Sequence, residues 1–81
     1  MIVYHWTTII SAQDIIQNGL REHSFVCRNM DDWHGEICLR INLPYEIDWE
    51  NRDEHATWQA VVPERILPHC IEPIMTNKEQ K

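Results

Sequence analysis

A single segment of this chain is punctuated as a helix, and the rest reads as short strands. Ser11 is a natural N-cap, with Asp14 three residues on as its capping-box partner. Ile10 before the cap and Ile15 after it are placed for a hydrophobic staple. Gly19 then stops the helix in a left-handed turn, and Leu20 folds back on Ile15.

Strand patterns surround that helix. Met1–Thr8 alternates, with Val3, His5 and Thr7 on one face and Ile2, Tyr4 and Trp6 on the other. Ser24–Arg28 is a second, shorter candidate. Glu36–Leu43 sets Ile37, Leu39, Ile41 and Leu43 on one face, with Cys38, Arg40 and Asn42 opposite, until Pro44 ends it. Thr57–Val62 is closed by Pro63, and Ile66–Ile74 is an extended, proline-bounded piece. One helix against a small, mainly antiparallel sheet is an α+β fold. Residues 1–74 form the one domain expected, and 75–81 a frayed polar tail.

Size agrees with this economy. A chain of 81 residues and 9.7 kDa buries roughly 64% of its unfolded surface, enough for one small core. That excludes a doubly wound nucleotide-binding sheet. No apolar run approaches the ~20 residues of a membrane span, and no signal peptide opens the chain. Cys27, Cys38 and Cys70 are odd in number and far apart, which argues against a disulfide scaffold and against the close ligand pairs of a zinc site. A soluble, reduced, cytoplasmic protein is expected.

The charge is concentrated. Residues 31–55 hold eight acids (Asp31, Asp32, Glu36, Glu46, Asp48, Glu50, Asp53, Glu54) against Arg40 and Arg52, which accounts for the whole net charge of −6. Such a balance disfavours direct binding to nucleic-acid phosphates. Trp33 and Trp49 lie within the same stretch. Clustered acids and tryptophans suit a non-enzymatic binding protein, antitoxin-like or a phage-type inhibitor, that engages a basic protein surface through residues 31–55. Alternatively the tryptophans pack on the sheet and the acids form a solvated loop.

A second reading comes from the two ends. Tyr4-His5-Trp6-Thr7-Thr8 followed by Ile15-Ile16-Gln17-Asn18-Gly19-Leu20, together with Trp58-Gln59-Ala60-Val61-Val62-Pro63-Glu64-Arg65-Ile66, resembles the ADP-ribosyltransferase-like domains. The resemblance implies a minimal version of that fold and NAD as ligand. His5 and Thr7 would hold the nicotinamide ribose and Phe25 would wall the nicotinamide pocket. Beside His5, the third catalytic member would be Glu54 or Gln59, because the region where the family carries its glutamate reads Ala56-Thr57-Trp58-Gln59. NAD recognition with or without transfer, and an acidic binding protein, are the two functional expectations.

Overall fold

The computed structural model describes residues 1–50 and 58–74. The candidate Glu54 and the expected tail 75–81 lie outside the described residues. The elements run β1 (Ile2–Thr7), α1 (Ile9–Asn18), β2 (Phe25–Cys27), β3 (Ile37–Asn42), β4 (Gln59–Val61) and β5 (Ile71–Ile74), with 3₁₀ turns at Met30–Asp32 and Pro68–Cys70. All strand pairs are antiparallel, and the five strands form one sheet in the order β4-β2-β1-β3-β5. This is a small α+β fold.

Helix α1 begins one turn earlier than its sequence suggests. Thr8 is the cap, its Oγ1 accepting from the Ser11 amide at 3.1 Å, so Ser11 is a donor in the first turn. Asp14 takes the Asn18 side-chain amide at 2.8 Å instead of reaching back, and Ile10 is 80% exposed, so no staple forms. The acid at the helix start is Glu36, whose Oε1 accepts from the Ile9 amide at 2.9 Å. At the far end the Arg65 guanidinium donates to the Asn18 carbonyl. An acid and a cation thus complement the two ends of the helix dipole, both from distant parts of the chain.

Gly19 ends the helix as expected, with φ +92° and its N–H on the Ile15 carbonyl at 2.7 Å. A Cβ there would also collide with the Ile66 carbonyl. Leu20 and Ile66 exchange backbone hydrogen bonds at 2.9 Å each, an isolated bridge that clasps the helix end to the closing segment. The long extended piece expected over Ile66–Ile74 is interrupted, because Pro68 opens a 3₁₀ turn before β5.

Register fixes what each face of the sheet carries. Opposite residues Val3–Ile41, His5–Leu39 and Thr7–Ile37, with Val26–Ala60, belong to the inner face. Val3, Val26, Leu39 and Ile41 are fully buried there, under Ala12 and Ile15 of α1 and beside Leu43, Trp49, Val62 and Ile66. Each large side chain so buried contributes about 1.5–3 kcal/mol. The outer face carries Tyr4, Trp6, Phe25, Cys27, Cys38, Arg40, Gln59, Val61 and Glu72.

Candidate functional site

The two sides of β1 differ. It pairs with β3 at six positions from Ile2 to Thr7, but with β2 only at Tyr4–Cys27. Ser24, Val26 and Arg28 direct their backbone groups toward β4, as the bonds from Val62 to Ser24 and from Arg28 to Trp58 require. Phe25 therefore directs its carbonyl toward β1. The His5 side chain meets it, with Nδ1 at 2.6 Å from the Phe25 oxygen.

That contact settles the chemistry of the imidazole. A carbonyl only accepts, so Nδ1 carries the proton and the neutral ring keeps Nε2 as an acceptor. Burial lowers the His5 pKa below its usual value, and the bond to Phe25 opposes this only in part. His5 is thus neutral near pH 7, able to accept a hydrogen bond from a ligand hydroxyl.

Two clefts meet at this residue. One, of about 420 Å³, is lined by His5, Thr7, Ser11, Asp14, Arg21 and Ser24, among others. The other, of about 380 Å³, is lined by His5, Trp6, Phe25, Cys27, Trp33 and Gln59, with Ser24 shared. Each falls at the small end of the usual range for ligand sites. The first is edged by Thr7, Ser11 and Ser24, which carry hydroxyls, and by Arg21. The second is walled by aromatic rings.

The structure therefore brings His5 together with Thr7 in one cleft and with Phe25 and Gln59 in the other. Glu54 lies outside the described residues. Asp14 is the single carboxylate among the described residues that line the two clefts. Trp33, Arg21, Ser11 and Ser24 also border the site, though the sequence did not single them out for it. Arg21 had a faint signal, following directly on the Gly19-Leu20 helix stop. The contribution of Trp33 is long-range and left no local trace.

Four of the acids among the described residues of the stretch are engaged within the protein's own structure. Asp32 accepts from the Asn29 amide at 2.8 Å, Glu36 caps α1, Asp48 accepts from the Glu50 amide at 3.3 Å, and Glu50 pairs with Arg28 at 3.0 Å. The two tryptophans divide. Trp49 is 5% exposed and belongs to the core, whereas Trp33 is 55% exposed and stacks on Trp58, rings 6.3 Å apart and 9° from parallel.

Two of the cysteines, Cys27 and Cys38, are buried and held as thiols. Burial raises the Cys27 thiol, with Asp32 adding to the shift, and pushes Cys38 up to about 12. Neither is a thiolate at neutral pH. Cys70 is half-buried against the core. Among the described residues no helix is long and apolar enough to cross a membrane.

Comparison with protein-family models, with curated proteins and with solved structures yields no match to this chain.

Proposed function

We propose that the chain binds an NAD-type nucleotide in the paired clefts that meet at His5. The observation that carries this reading is the placement of one neutral imidazole in the open seam of a sheet, bordering an aromatic cleft and a polar cleft at once. A dinucleotide has the matching parts. A flat ring would lie against Phe25 and Trp33. Ribose hydroxyls would donate to His5 Nε2 and exchange hydrogen bonds with Thr7, and a phosphate would face Arg21.

Transfer of the ADP-ribosyl group asks for more than binding. The ribose becomes oxocarbenium-like as nicotinamide departs, and a carboxylate steadies that charge. Gln59 borders the aromatic cleft but is a neutral amide, so it can orient a ligand and cannot supply the charge. Under this reading transfer depends on Glu54, and recognition does not.

The test is a titration with NAD, read by calorimetry and by tryptophan emission, since Trp6 and Trp33 line the aromatic cleft. Micromolar affinity is expected, reduced at least about tenfold in His5→Ala and in Thr7→Val, each with an unchanged circular-dichroism spectrum. Absence of binding at about 1 mM NAD, a limit of about −4 kcal/mol, overturns the reading. So does equal affinity in both folded variants.

A further inference from the structure

Four large apolar side chains are exposed in one neighbourhood of the outer face: Phe25 at 56%, Trp33 at 55%, Val61 at 42% and Met30 at 41%. Three of them adjoin, and a backbone contact brings the turn that carries Met30 beside them. Phe25 and Val61 sit directly opposite on β2 and β4, and Phe25 and Trp33 line the same cleft. The Met30 carbonyl accepts the Trp6 indole N–H at 2.8 Å, which seats the 3₁₀ turn Met30–Asp32 over that cleft wall. Single exposed apolar residues are ordinary, but four so grouped on a domain this small mark a surface that meets something.

The charge around the strip selects the occupant. Asp31 and Asp32 lie between Met30 and Trp33 in sequence, on the 3₁₀ turn and at its end. Arg28, three residues before Asp31, is already paired with Glu50 at 3.0 Å. The edge that carries Met30 and Trp33 is therefore acidic, with Asp31 exposed and Asp32 keeping its charge while it accepts from the Asn29 amide. A second copy of the chain would bring like charges together, and nucleic-acid phosphates would be repelled. A basic segment with apolar anchors satisfies both parts.

We propose that the strip of Phe25, Met30, Trp33 and Val61 is a docking surface for a cationic, apolar-anchored segment of a partner protein, its basic residues facing Asp31 and Asp32. The proposal does not rest on nucleotide binding, although Phe25 and Trp33 also border the cleft beside His5. A segment docked here lies at the mouth of that cleft.

The experiment uses fluorescence anisotropy with two labelled peptides, one alternating arginine with leucine and one alternating glutamate with leucine. The arginine peptide is expected to bind, less tightly as salt rises, and the glutamate peptide not to bind. Asp31→Lys should weaken binding about tenfold, whereas Glu22→Lys, with the same net charge but on the 21–24 turn, should change it less than about threefold. Val61→Ser should weaken it about threefold through the apolar contact alone. All three positions are exposed, so folding is preserved and is checked by circular dichroism. Equal loss in Asp31→Lys and Glu22→Lys would mean attraction to net charge alone and would overturn the proposal, as would binding of the glutamate peptide or no binding of either. None of these readings uses NAD, so they stand apart from the titration of the cleft.

Discussion

Strand β1 has two neighbours and treats them differently. Toward β3 all six of its residues are paired; toward β2 it is paired at Tyr4 alone. The alternation of β1 is the same on both sides, so its own sequence is not the cause. The neighbours differ. β3 is six residues long, whereas β2 is three and is approached through the Leu20–Ile66 bridge and a turn in which His23 takes a positive φ of 69°. The chain entering β2 is led away from β1. The zipped seam holds the fold together, and the open one leaves a carbonyl and an imidazole to each other and makes room for clefts. A polar group with spare hydrogen-bonding capacity is tolerated where the ladder stops, because solvent or a ligand can reach it.

The largest break in this contrast comes from the closed side. Leu39 is fully buried on β3 opposite His5. Leu39→Ala should cost about 3 kcal/mol of stability by urea unfolding, and retention of wild-type stability would show that the β1–β3 seam is not the stabilising one. A smaller loss is expected over the outer face. Trp6→Phe removes the indole N–H that holds the Met30 carbonyl and should cost about 1 kcal/mol, with Trp33 emission shifting as the 3₁₀ turn loosens. No spectral change would mean that the turn is seated by other contacts.

The open seam should reveal itself weakly, and only in acid. The folded His5 pKa lies below 6.5 because burial disfavours the charged ring. The unfolded chain then binds the extra proton first, so stability is full above about pH 6.5 and declines as pH falls toward the folded value. His5→Gln should flatten that limb of the urea midpoint against pH; an unchanged limb would place the titration elsewhere. Least of all, the exposed Arg28–Glu50 pair should contribute about 0.5 kcal/mol or less, and Glu50→Gln should shift stability by no more, an effect that salt erases.

What could be read from the sequence follows the range of the interactions. Most strand positions and their faces were legible because alternation is local, and β3 falls within a residue of its expected ends, whereas the piece over Ile66–Ile74 is broken by the 3₁₀ turn at Pro68. Gly19 was legible for the same reason, since only glycine sits easily at φ +92°. The helix start was not. Two hydroxyls three residues apart, Thr8 and Ser11, compete for the cap, and the amide of Ile9 is satisfied by Glu36, 27 residues away. At the site, His5 and Thr7 could be placed on one face by counting. That His5 would also border a cleft with Phe25 and Gln59, residues of the other face, depends on where the β1–β2 ladder stops. The division between buried Trp49 and exposed Trp33 is likewise set by what packs on them, and composition carries no trace of it.

The near-parallel indoles of Trp33 and Trp58 have a further consequence. Trp33 follows the 3₁₀ turn over the outer face, while Trp58 immediately precedes β4 at the sheet edge. Two chromophores 6.3 Å apart share their excited states, so their coupling is a built-in optical ruler between that turn and the edge strand. Anything that pries the two apart, or wedges between them, should be visible in the protein's own absorption of circularly polarised light, with no label attached.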